Sequence, residues 1–542
     1  MHRIHQLIVL ALLLASPAAA QSPTYDILLR GGRIVDGTGA PSYHADLAVQ
    51  GGRIVAIGRL DRASARQVID ATGMVIAPGF IDLMGQTGAP FLKDANAAFN
   101  LLTQGITTIN AGEGESDAPL AGDEAKQRGW TTMREYFRKL ETAGMPMNVA
   151  QTVGHTQVRQ LVIGDVDRQA TPEELERMKG MVEEAMQAGA IGLSTSLIYP
   201  PAIYGNEAEI TALAMVAGQY GGRYFTHMRN EGDRLLEAIE EALRIGSGAN
   251  TPVHIFHLKT AGQTNWPKMD LALARIRAAR AAGQDVGVDV YPYINNGLGL
   301  RALIHPRYAA QGQAELMRRL GDSAIRAEMR KEMETGTGWE NWYAHAGKDW
   351  DRIIVVTRHP DYQKYNGTSI ENMARQTGQD AWEVFFALAQ AETDAMPQSM
   401  SEANKMKAMR EEFTSFDTDA GPAGTNLNVH PRAYGAFPRL LSRYVRDLGA
   451  LTLEGAVHRA SAVAANEIGA YDRGRIAPGL VADLVVFDPV RIRDRATFAE
   501  PTLVSDGVKV VVVNGVVVMQ DGKYTGAKPG MVLRGPGWDG KR

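Results

Sequence analysis

The chain contains no cysteine, which excludes disulfides and thiolate metal ligands together. It also lacks an excess of charge of either sign. Its 57 Lys+Arg stand against 61 Asp+Glu for a formal net charge of −4, so no basic surface for nucleic acid is expected. After the first twenty residues no apolar run approaches the roughly 18 residues that would hold the chain in a bilayer. What is present instead is 57 glycines and 45% hydrophobic residues in a length of 542. That is the composition of a turn-rich globular protein, long enough to divide into a large domain and a smaller one.

The first twenty residues stand apart. Arg3 supplies a positive start, Leu7 to Ala15 form a short apolar run, and Ala18-Ala19-Ala20 offers a small-residue cleavage site. This reads as an export signal removed from the mature protein. A soluble periplasmic or secreted product is expected, and the absence of cysteine suits an oxidising compartment.

Residues 21–77 and 471–542 share one style. Short alternating runs such as Gly31-Gly32-Arg33-Ile34-Val35 and Lys509-Val510-Val511-Val512-Val513-Asn514-Gly515 predict a small β-sandwich domain assembled from both ends of the chain. The Gly-Gly pairs are hairpin turns, not phosphate loops, because no helix opens after them. Between these ends the pattern changes. Thr171-Pro172-Glu173-Glu174 carries Pro at the first helical position and a capping-box glutamate, and Gly189 closes the helix before a strand at Ile191 to Ser194. Asp233 to Ile245 repeats the plan. Strands alternating with amphipathic helices through 78–470 predict an α/β fold of the (β/α)8 TIM-barrel type. A charged, Trp-containing helical stretch at about 305–350 interrupts the rhythm as an insertion over the barrel mouth.

Two strands end on histidine: Tyr224-Phe225-Thr226-His227 and Val253-His254-Ile255-Phe256-His257, with the histidines 30 residues apart, about one βα repeat. Imidazoles at the carboxyl ends of adjacent parallel strands face one barrel mouth, where such folds place their chemistry. Neutral imidazole is the commonest protein ligand for zinc. His227 and His257 are therefore the leading metal ligands. His254 is out of phase with His257 and is expected to pack under a helix.

The ordered passages Ala77-Pro78-Gly79-Phe80-Ile81-Asp82, Gln104-Gly105-Ile106-Thr107-Thr108, Ile198-Tyr199-Pro200-Pro201, Thr226-His227-Met228-Arg229-Asn230-Glu231, Asp289-Val290-Tyr291-Pro292-Tyr293 and His430-Pro431-Arg432-Ala433-Tyr434-Gly435 resemble the amidohydrolase superfamily. Within it they are similar to the N-acyl-D-amino-acid deacylase (D-aminoacylase) family. The resemblance covers nearly the whole mature chain. It implies a zinc-dependent hydrolase acting on the amide of N-acyl-D-amino acids or related small carboxylate-bearing amides. Two departures stand out. Met84-Gly85-Gln86 lies where the superfamily carries His-x-His, so one zinc ion per chain is expected rather than two, since thioether and amide groups are weak ligands for it. Ala111-Gly112-Glu113-Gly114-Glu115-Ser116 lies where the family has its bridging cysteine. Glu113, nearer the strand end, is favoured as the replacement, with Glu115 the alternative.

The resemblance further implies that Asp419 moves the proton, with Asp417 as its competitor two residues away. It makes Tyr199, Lys259 and Arg432 substrate contacts, the two cations gripping a carboxylate. His155 follows a predicted strand and is a candidate for the mouth, with a structural hydrogen bond as the other reading. A dipeptidase or cyclic-amide hydrolase on the same scaffold remains open, as does a non-catalytic protein that kept the pocket.

Overall fold

The computed structural model describes residues 24–423 and 430–541; the expected export signal at 1–20 lies outside them. Eight parallel strands form the central barrel: β1 Phe80–Asp82, β2 Ile106–Ala111, β3 Asn148–Gln151 (continued by Val153–Gly154), β4 Gly192–Ser196, β5 Arg223–His227, β6 Val253–Ile255, β7 Val286–Val290 and β8 Thr414–Phe416. β1 pairs with β2 and β2 with β3, and the ladder then runs from the continuation of β3 through β4 to β8. Just past β8, Thr418 returns to β1, its backbone N–H and hydroxyl donating to Asp82 at 3.0 and 2.6 Å.

Local sequence explains the elements between the strands. The helix Pro172–Ala188 starts on a complete capping box, Thr171 with Glu174, and stops at Gly189 with φ 108°, a left-handed position that favours glycine. Leu235, Ile239 and Leu243 are buried on the helix Leu235–Ala249, the stripe that a 3.6-residue period demands. His254 is fully buried and contacts Glu467 of the helix Ala464–Glu467 at 2.7 Å.

Strands from both ends of the chain join in one nine-stranded network. Val75–Pro78, which leads into the barrel, pairs with Leu484–Phe487 from the far end. Its core is Ile27, Leu29, Ile34, Leu47, Val49, Leu484, Val486, Val510 and Val512. After Lys523–Tyr524 the chain leaves this sheet and crosses the barrel, where Met531 and Leu533 bond Val149 at 3.0 and 2.8 Å. That stretch is rich in Gly and Pro and has no strand alternation, so it extends along the barrel instead of adding to the sheet.

Between β7 and β8 lies a unit with its own apolar core around Trp342, Trp350, Trp382 and Phe385. It is wider than 305–350 and not purely helical. Leu298–Gly299, Ile353–Thr357, Thr368–Ser369 and Thr393–Pro397 form a four-stranded antiparallel sheet beside the helices Gln313–Leu320, Ser323–Thr335, Ile370–Thr377 and Ala381–Gln390. Strands of two to five residues carry too little alternation to be read among longer helical periods.

Small domain and barrel are joined by a buried charge. Asp483 accepts from Asn148 of β3 at 3.0 Å and from the backbone of Asn514 at 2.6 Å, and pairs with Arg473. Arg473 is only 4% exposed. Asp483→Ala would leave that buried guanidinium only the half-exposed Asp472 carboxylate, 3.2 Å from its Nε, and would remove the acceptor shared by Asn148 and Asn514. It is expected to cost about 3–5 kcal/mol, measured as a lower midpoint in urea unfolding; a loss under ~1 kcal/mol would show that the pair does not join the domains.

Candidate metal and catalytic site

The strand ends converge as the alternation requires. Glu113 follows β2, His227 ends β5 and His257 lies just beyond β6; their ligand atoms all lie within 4.8 Å of one another. Glu113 Oε1 is the common point, 2.6 Å from His227 Nδ1 and 3.2 Å from His257 Nε2. The remaining nitrogens of both rings turn to Glu231, which sits four residues past the end of β5. His227 Nε2 is 3.5 Å from Glu231 Oε2, and His257 Nδ1 is 3.1 Å from Glu231 Oε1. Lys259 closes the group, its Nζ 2.6 Å from both Glu231 Oε1 and His257 Nδ1.

The electrostatics follow from this packing. Burial pushes the Glu113 carboxyl up, but hydrogen bonds and charge from His227 and His257 outweigh it and hold it well below the ordinary carboxylate value. Burial pushes His227 down, yet Glu231 and Glu113 raise it to about 9. Two nitrogens and one carboxylate oxygen directed at one point are a donor set that fits zinc, and three protein ligands leave one position open. A carboxylate behind each ligating imidazole is the usual way such rings are oriented. His227 Nε2 and Glu231 Oε2 are buried with no hydrogen-bond partner, as expected of a pair spaced by its other contacts.

Asp419, three residues beyond β8, faces the same cavity with φ 45°. Its Oδ2 is 2.6 Å from Arg432 Nη1, and its Oδ1 accepts from Gln86 Nε2 at 3.1 Å. Burial raises its carboxyl, opposed by Arg432 and reinforced by Glu113. Asp417 is buried deeper, where burial and the charges of Asp289, Asp419 and Asp82 raise it well above the usual range. The cavity is also lined by Tyr199, Lys259 and Tyr291, and by Asn296, Leu298 and Trp342 of the unit between β7 and β8. Arg432 lies 4.6 Å from the Tyr291 ring centre, and its Nε is buried without a hydrogen-bond acceptor.

Glu113, His227, His257, Asp419, Tyr199, Lys259 and Arg432 thus come together. Glu115 and His155 do not. Glu115 is exposed, because the Glu113 N–H bonds the Glu115 carbonyl at 3.1 Å and Gly114 (φ 75°) turns the chain outward. His155 opens the helix His155–Val162 and bonds Glu209 at 2.8 Å; Arg159 grips the same carboxylate. Its ring is fully buried and does not line the cavity. Met84, in the expected His-x-His position, is fully buried with Ile81, Leu83 and Phe256, so its thioether serves the core.

Several residues were missed by sequence reasoning. Glu231 ends the segment from Thr226 that carries the family resemblance, but nothing in its spacing marks it as buried behind both imidazoles. Its N–H donates to Glu340 Oε2 at 2.9 Å, a contact across more than a hundred residues. Lys405 is a buried amine without a hydrogen-bond partner, 4.5 Å from the Tyr291 ring centre, and burial with nearby Lys259 pushes it down to about 7.

Comparison with known proteins agrees with this fold. Residues 67–519 match the model of an amidohydrolase family. The chain is 34% identical to D-aminoacylase of Alcaligenes xylosoxydans xylosoxydans over 525 residues, covering 95% of this chain and 98% of that one. It is 34% identical to N-acyl-D-glutamate deacylase of the same organism over 519 residues, covering 94% and 96%. The crystal structure of N-acyl-D-glutamate deacylase from Bordetella bronchiseptica, complexed with zinc and a phosphonate mimic of the reaction's tetrahedral intermediate, superposes with a TM-score of 0.80. It is 33% identical and covers 94% of this chain and 100% of that one.

The geometry ranks the acidic residues by their effect on zinc binding. Glu231→Gln is expected to weaken it about 10–100-fold, as losing a group behind a ligand does. Glu113→Ala should weaken it further, and Glu115→Ala should bind as wild type, all read by equilibrium dialysis. A Glu115→Ala protein that lost zinc while Glu113→Ala kept it would reverse the assignment.

Proposed function

Since this chain belongs to the amidohydrolase family, we propose that it is a zinc-dependent hydrolase that cleaves the amide bond of N-acyl-D-amino acids. The convergence of Glu113, His227 and His257 within 4.8 Å at the barrel mouth carries this reading. The names of its relatives support the substrate class: D-aminoacylase and the deacylases of N-acyl-D-glutamate and N-acyl-D-aspartate.

Held by those three residues, zinc would supply a Lewis acid for the amide carbonyl and make water acidic enough to attack near neutral pH. The other steps belong to the chain itself. Asp419 takes the proton of the attacking water and returns it to the departing amine nitrogen. A carboxyl raised by burial and tempered by Arg432 suits both directions of that transfer. The Tyr199 phenol is held protonated by burial and by nearby carboxylates, so it donates to the carbonyl oxygen as negative charge grows there. Arg432 and Lys259 bind the substrate carboxylate. The buried Nε of Arg432, which has no hydrogen-bond partner, supports this role, since a buried donor calls for an acceptor. Leu298 and Trp342 exclude water from the cavity's outer side.

The chain is also proposed to be exported, a reading that rests on residues 1–20 alone. Among the described residues no helix is long and apolar enough to cross a membrane. N-terminal sequencing of the periplasmic protein should begin just after the Ala18-Ala19-Ala20 site; an intact Met1 in the cytosolic fraction would contradict export.

The activity is tested with paired N-acyl-D- and N-acyl-L-amino acids and metal analysis. Hydrolysis of the D series should vanish with a chelator and return with zinc. Asp419→Asn should keep its zinc and lose about 10²–10⁴-fold in kcat. Arg432→Met should raise KM for carboxylate-bearing substrates far more than it changes kcat. A protein that purifies with well below one equivalent of zinc and stays inactive when zinc is supplied would end this reading. Action on dipeptides alone would reassign the substrate.

A further inference from the structure

Gln86 is left without a role by the chemistry above, yet it is held at the centre of the site. Its backbone has φ 61°, a left-handed conformation unusual for a residue with a long side chain. Its carbonyl accepts from the Gly112 N–H at 2.8 Å, which ties the loop after β1 to the end of β2. The side chain then spans two carboxylates. Nε2 donates to Glu113 Oε2 at 2.8 Å and to Asp419 Oδ1 at 3.1 Å. Both partners accept only, so the amide nitrogen and not its oxygen must face them, and its two hydrogens serve both at once.

The two carboxylates are thereby divided by oxygen. Glu113 turns Oε1 to the imidazoles and Oε2 to Gln86, while Asp419 turns Oδ2 to Arg432 and Oδ1 to Gln86. Carboxylates sharing a neighbour repel, and in many hydrolases a second divalent ion bridges such groups. Here a neutral NH2 group stands between them. Gln86 is only half-buried, and its outer side faces a groove shared with Thr87, Glu115 and Ser116, so a cation has a route to this point.

We infer that Gln86 is a positioning residue that takes the place of a second cation. Its amide ties Glu113 to Asp419, leaves one Glu113 oxygen free for zinc, and restricts the site to a single ion. The inference rests on the zinc-hydrolase reading. It adds that the ion count is set by one side chain, whose replacement by a carboxylate opens a second site. In Gln86→Glu both donors are lost and a third carboxylate oxygen pair enters the same space, which is a donor set for a cation.

The test is zinc stoichiometry by elemental analysis after loading with excess zinc and desalting, on wild type, Gln86→Glu and Gln86→Leu. Circular dichroism confirms that each is folded. The expected values are about one ion for wild type, about two for Gln86→Glu and about one for Gln86→Leu. Gln86→Leu should also lose at least about tenfold in kcat with KM nearly unchanged, because Asp419 is no longer oriented while the carboxylate-binding cations are intact. Two ions in wild type, or one ion in Gln86→Glu with Gln86→Leu turning over like wild type, would overturn the inference and leave the hydrolase reading standing. A wild type that binds no zinc would overturn both.

Discussion

Buried charge is the constraint on which this structure turns. Glu113, Glu231, Asp417 and Asp419 crowd one end of the barrel, against His227, His257, Lys259, Lys405 and Arg432. Isolated charges of either sign are costly in such surroundings unless paired or bound to metal. Glu231 does most to settle the arrangement. One carboxylate, 1% exposed, meets both imidazoles and the Lys259 amine, so it sets which nitrogen of each ring is left to face Glu113.

The rest of the fold can be understood as the means of holding these groups in register. The barrel brings β2, β5, β6 and β8 to one mouth, and the unit between β7 and β8 closes it from above. That unit contributes Trp342 to the cavity and Glu340 to the backbone of Glu231. Three site residues, Gln86, His257 and Asp419, have positive φ. Strained conformations of this kind persist where the surroundings over-determine them, and they cluster at working sites. Each of the three follows a barrel strand, where the chain must turn sharply while its side chain stays over the barrel.

How far this was legible in the sequence follows from the same geometry. The barrel and its helices could be read because period and caps are local signals, as at Thr171 and Gly189. His227 and His257 could be read because strand ends repeat at βα spacing. Asp419 and Arg432 came from resemblance alone, since nothing local separates Asp419 from Asp417; the positive φ at 419 is what turns one to the cavity and leaves the other in the interior. The preference for Glu113 over Glu115 rested only on its nearness to the strand end, for a similar reason. Alternation puts both on one face, and only the turn at Gly114 breaks it. His155 pointed to the mouth by its place after a strand, but the helix opens on it and Glu209 draws it away. Glu231 was invisible as a site residue, and Gln86, placed by resemblance at the His-x-His position, could be read only as a weak ligand, because the roles of both depend on contacts between loops far apart in the chain.

The central claim is that two imidazoles and the Glu113 carboxylate share one zinc ion at the barrel mouth. X-ray absorption at the zinc edge of the singly loaded protein tests it most directly. The account predicts two imidazole nitrogens with oxygen donors at about 2.0–2.2 Å, no sulfur and no neighbouring metal. A zinc–sulfur distance of about 2.3 Å, or a shell made only of oxygens, would contradict it.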